Sequence, residues 1–130
     1  MSRLIYYDSE KSRYSEEFAM KLSFEEGKRI AIKLNRHFKT KINDIRKTQG
    51  SIPRIRYWYS DIPNCWLILP KTTSFGIVCH EVAHALELVK YGKAGHNKKH
   101  TTNMKRAINY CRKKNFWRDD KEITIEGESK

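Results

Sequence analysis

The sequence has only three cysteines, Cys65, Cys79 and Cys111, an odd number with no C-x-x-C pair. That scarcity excludes a disulfide framework and a separate zinc ribbon, and makes three buried free thiols the expectation. Glycine (six) and proline (three) are too sparse for a flexible linker, and no repeat is present. One domain is therefore expected over residues 1–118, with a polar tail over 119–130. No apolar run approaches the roughly 20 residues that span a bilayer. The opening MSRLIYYDSEKSR becomes charged too early for a signal peptide, so the expectation is a soluble, intracellular monomer without a membrane partner.

Acidic residues are missing where basic ones are dense. Residues 88–118 carry ten Lys or Arg and no Asp or Glu, and residues 28–56 have Asp44 as their only acid. The net charge is +12. Such a surface attracts polyanions through counterion release, so DNA is an expected partner. The cations expected to meet it are Lys98, Lys99, Lys105, Arg106, Arg112 and Lys113.

The hydrophobic pattern outlines an α+β chain. Residues 4–8 read as a short strand or ordered arm, and EFAMKL, residues 17–22, alternates like a strand. Ser23 and Glu26 form a capping box ahead of a helix over 24–39, whose stripe is Ile30, Ala31, Leu34 and Phe38. His37, beside that stripe, reads as a surface histidine. KINDIRKTQGS reads as a loop or ragged helix end. IPRIRYWYS and CWLILP, residues 52–60 and 65–70, read as strands paired in a hairpin across the turn DIPN. A helix over 74–91 follows, stopped by Gly92 and apolar around nearly its whole circumference, so it belongs at the centre of the fold. The last helix starts at the N-cap Asn97 and runs to about residue 115, burying His100, Met104, Ala107, Ile108 and Cys111. Phe116 and Trp117 are expected to pack and the tail to fray.

Four of the five histidines fall in residues 78–100. His80 and His84 bracket Glu81 in the pattern H-E-x-x-H. On a helix they stand one turn apart on one face and can share a metal ion, with Glu81 placed to take the proton of a bound water. Zn²⁺ suits a set of imidazole nitrogens with one open position. The third ligand decides the class. A histidine six residues after His84 is absent, because that position is Lys90, and the next helix offers no carboxylate. His96 and His100 remain, unless the chain supplies a ligand from far away in the sequence. Tyr57, Tyr59, Tyr91 and Tyr110 are candidate hydroxyls for a developing oxyanion, while Trp58 and Trp66 read mainly as sheet-face packing.

The span HEVAHALELVKYGKAGHNKKHTTNM resembles the SprT-like (Spartan-type) zinc metalloprotease domain, in a minimal form without the zinc ribbon. The preceding helix and two strands fit as well, and the likeness covers roughly residues 22–111. It implies a small zincin-like fold with a buried H-E-x-x-H helix and a following basic helix. His80, His84 and His96 fall on the family's ligands, Glu81 on its catalytic glutamate and Met104 on a later apolar position. Two positions depart from the pattern. Asn97 stands where the family usually has glycine, and His100 where it usually has an aromatic ring, which keeps His100 as the alternative third ligand. The implied activity is zinc-dependent hydrolysis of peptide bonds in DNA-associated proteins. Two other readings are a metalloprotease without a nucleic-acid role and a non-catalytic zinc module that binds nucleic acid.

Overall fold

The computed structural model describes residues 9–58, 64–92 and 95–114. Helical turns at residues 9–13 (α1) lead into α2 (Ser15–Ala19), β1 (Lys21–Ser23), α3 (Phe24–Phe38), β2 (Asp44–Thr48), β3 (Arg54–Trp58), β4 (Asn64–Pro70), β5 (Thr72–Ser74), α4 (Phe75–Tyr91) and α5 (Lys98–Lys114). The class is α+β, as expected. The possible arm at residues 4–8, Tyr59, most of the DIPN turn, Phe116, Trp117, the 118/119 boundary and the tail lie outside the described residues.

The helices form where local signals place them. Ser23 Oγ accepts from the Glu26 N–H at 3.2 Å and Glu26 Oε1 accepts from the Ser23 N–H at 2.8 Å, closing the capping box of α3. Phe24, Gly27, Ile30, Ala31 and Leu34 then turn one buried stripe inward. Lys39 ends the helix at φ 56° and Lys41 follows at φ 67°, both in the left-handed region. The Asn35 carboxamide holds this reversal. It accepts from the Ile42 N–H at 3.1 Å, donates to the Ile42 carbonyl at 3.1 Å, and bonds Thr40 Oγ1.

Two segments differ from the sequence expectation. Residues 17–19 are helical, and the strand is confined to Lys21–Ser23, paired antiparallel with β5. Tyr14, Glu17 and Phe18 sit at helical spacing and turn inward, and the apparent alternation came from that spacing meeting the short strand. The segment read as a loop contains β2, which runs parallel to β4 from Asp44↔Trp66 to Thr48↔Pro70. The sheet order is β2-β4-β3, with the expected antiparallel β3–β4 hairpin on the other side of β4. It is therefore mixed rather than purely antiparallel. Arg46 lies 3.5 Å over the Trp66 ring and 2.6 Å from Asp44, so a charged strand is accommodated at the edge.

Helix α4 is central. Ser74 Oγ caps it by accepting from the Ile77 N–H at 3.1 Å, and Gly92 closes it at φ 77°. It touches α2, α3, α5 and strands β3, β4 and β5. Gly76 allows α2 to lie against its first turn: a Cβ there would stand 2.5 Å from the Phe18 ring. Helix α5 turns His100, Asn103, Met104, Ala107, Ile108 and Cys111 inward. The three cysteines are buried free thiols, and burial pushes Cys65 up to about 11. Among the described residues no helix is long and apolar enough to cross a membrane.

Candidate metal centre

His80 and His84 rise one turn apart from α4, and each ring is steered by its own carboxylate. His80 Nδ1 donates to Glu10 Oε1 at 2.5 Å, and His84 Nδ1 donates to Glu87 Oε1 at 2.9 Å. With the proton on Nδ1, each Nε2 carries the lone pair, the form that binds a metal. Both Nε2 atoms meet the Nε2 of His96, each at 3.2 Å. At most one proton is available on His96 Nε2, so at least two of the three nitrogens bring lone pairs to these contacts. Bonds of about 2.0–2.1 Å in a tetrahedral set place neighbouring ligand nitrogens roughly 3.3 Å apart. The donor chemistry and these two spacings fit such an ion.

His100 joins the cluster differently. His80, His84 and His100 each bring a ring nitrogen within 4.8 Å of the others, close enough to hold a metal ion. Yet His100 Nε2 already donates to the His80 carbonyl at 3.0 Å, and its Nδ1 faces Glu10 Oε2 at 3.4 Å. Both nitrogens of this fully buried ring are directed at protein atoms, whereas His96 Nε2 meets two others at ligand spacing. Burial, then the neighbouring His84 and His80, holds His100 down to about 3, so it is neutral near pH 7.

The turn carrying His96 is built by side chains at both ends. The Asn97 carboxamide oxygen accepts from the N–H groups of Lys99 and His100, at 3.0 and 3.2 Å, and caps α5. Glu87 takes a hydrogen bond from the Gly95 backbone N–H besides the one from His84, so one buried carboxylate touches both sides of the cluster. Burial pushes Glu87 up, and likewise takes Glu10 up to about 7.

Glu81 is buried yet lines a cavity of about 270 Å³ together with His84, His96, Arg54, Ile55 and Tyr57. Two of the candidate ligand rings, His84 and His96, and a carboxylate thus share one solvent-reachable space, walled by β3. Of the tyrosines considered, Tyr57 lines that space, while Tyr91 and Tyr110 stand elsewhere: Lys99 covers the Tyr91 ring at 4.1 Å, and Tyr110 stacks on His37 at 3.8 Å. His37 is exposed, as expected. Cys79 is core.

Two residues at the centre were not singled out from the sequence. Glu87 was discoverable, standing three residues after His84 on the same helix face. Glu10 was not, because seventy positions separate it from His80. Of the expected DNA contacts, Lys98, Lys99, Lys105, Arg106 and Lys113 lie exposed along α5. Arg112 is held in a two-pronged pair with the buried Glu17, at 2.6 and 3.0 Å. No protein-family profile, curated protein or solved structure matches this chain.

Proposed function

We propose that the chain is a zinc metallopeptidase of the SprT-like type, with a zincin-like fold, that hydrolyses peptide bonds in DNA-associated proteins. The observation that carries the reading is that the Nε2 atoms of His80 and His84 each meet His96 Nε2 at 3.2 Å beside a cavity that Glu81 lines. His80, His84 and His96 would hold the ion, and His100 would pack behind them, keyed to the His80 carbonyl. A zinc ion in that position supplies Lewis acidity and brings the pKa of water towards neutrality.

The chain's own groups account for the rest of the chemistry. Glu81 takes the proton of the attacking water and passes it to the leaving amine. Tyr57 offers a hydroxyl to the oxygen that becomes negative. β3 borders β4 on one side in the described sheet, and an extended substrate added along its outer edge would run beside Glu81 and the histidines. The exposed cations of α5 would bring the enzyme to nucleic acid.

Glu81→Gln tests the reading, because it preserves shape and removes the base. The zinc-loaded variant is expected to bind zinc like the wild type and to lose peptidase activity on an unfolded protein by at least about 100-fold. Equal rates in the two proteins would remove Glu81 from the chemistry. If neither protein cleaves and both retain zinc and bind DNA, the site is structural and the chain a binding module.

A further inference from the structure

We propose that Glu10 is a positioning residue for His80, and that through it the docking of α1 and α2 sets the metal affinity of the centre. The inference rests on the metal reading of the histidines given above. Glu10 is nearly fully buried, and one of its oxygens lies 2.5 Å from His80 Nδ1. Its other oxygen makes no hydrogen bond among the described residues but lies 3.4 Å from His100 Nδ1. The carboxylate therefore stands between the ring that faces His96 and the ring that braces the His80 carbonyl. By accepting the Nδ1 proton it fixes the tautomer of His80 and the rotation of the ring, and it raises the basicity of Nε2.

Glu10 reaches this position only while the N-terminal segment is docked. Four contacts dock it. Arg112 grips Glu17 at 2.6 and 3.0 Å, and the Phe75 N–H donates to the Met20 carbonyl at 2.9 Å. Phe18 covers Gly76, and Tyr14 is buried, with the Arg112 guanidinium 5.9 Å from its ring centre. These contacts fall on the first turn of α4, just ahead of His80, and on the end of α5 at Arg112. Undocking would take the Glu10 carboxylate away from His80. Coupling of this kind is reciprocal, so a bound ion must also hold the segment in place.

Competition with a chromogenic zinc chelator measures the first half, on the full chain. Glu10→Gln keeps the length and an acceptor oxygen but loses the charge, and is expected to weaken zinc binding about 10-fold, with Glu10→Ala nearer 100-fold. Glu17→Ala, at the Arg112 contact, should weaken it by a smaller factor while leaving every ring untouched. Circular dichroism of the metal-free proteins identifies any variant that fails to fold, and the isosteric Glu10→Gln keeps the test alive if Glu10→Ala does. The second half is read by trypsin. Cleavage after the exposed Lys11 and Arg13, followed by mass spectrometry, should slow on adding zinc relative to cleavage at Lys28 and Arg29 on α3, and should not slow in His84→Ala. Wild-type affinity in folded Glu10→Gln and Glu10→Ala, or cleavage at Lys11 and Arg13 indifferent to zinc, would overturn the proposal and leave the metal centre standing. A wild-type protein that takes up no zinc would overturn both.

Discussion

His96 and His100 stand four residues apart, and both face the same pair of histidines on α4. The difference between them lies in what each ring nitrogen meets. His96 Nε2 is 3.2 Å from two other Nε2 atoms, whereas His100 Nε2 is hydrogen-bonded to a carbonyl. His100→Phe keeps an aromatic ring and removes that bond together with the Nδ1 contact to Glu10, so it should retain stoichiometric zinc, weakened by about 10–100-fold at most, the range for an outer partner. His96→Ala should fall below stoichiometric occupancy under the same dialysis, measured by atomic emission. The H-E-x-x-H spacing made His80, Glu81 and His84 legible as a cluster, because helix geometry follows from sequence alone. The choice between His96 and His100 was not legible, since it depends on how the turn over residues 95–97 aims a side chain. Glu10 was invisible for a plainer reason: nothing local connects it to residue 80.

The elements that announced themselves were those with caps and a periodic buried stripe. α3 and α5 begin at Ser23 and Asn97, the residues expected to cap them, and α4 begins at Ser74, the last of three neighbouring hydroxyl residues able to do so. β2 was missed because its partner β4 lies beyond β3 in the chain, its pairing is parallel, and its exposed Arg46 and Lys47 lack a strand-like composition. What makes β2 start where it does is Asn35, whose carboxamide ties α3 to Ile42 across two left-handed residues. Asn35→Ala leaves the Ile42 N–H and carbonyl without that partner and is expected to cost about 1–3 kcal/mol. Ser23→Ala, which removes one arm of an exposed cap, should cost nearer about 1 kcal/mol. Urea denaturation of the two variants, at unchanged m-value, checks both the size and the order.

The whole molecule carries +12, and its described C-terminal helix presents Lys98, Lys99, Lys105, Arg106, Lys113 and Lys114 outward without an intervening acid. This face was legible from composition, apart from Arg112, whose guanidinium serves the attachment of α2. If the face meets nucleic acid, affinity must fall linearly with the logarithm of salt concentration. Replacing Lys98, Lys99 and Lys105 together by alanine should lower that slope by about 2, at roughly 0.7–0.9 per lost phosphate contact, with zinc content unchanged. An unaltered slope would assign the charge to another purpose. The location of the candidate metal centre also belongs to this scale, because it lies where α1, α4, β3 and the α4–α5 turn converge.

The measurement that bears most directly on the account is anomalous diffraction at the zinc edge from crystals of the zinc-loaded wild-type chain. The account predicts one strong peak bonded to the Nε2 atoms of His80, His84 and His96 at about 2.0–2.1 Å, with a fourth position facing the cavity that Glu81 lines. A peak bonded to His100 in place of His96, or no peak among the four rings at saturating zinc, would contradict it.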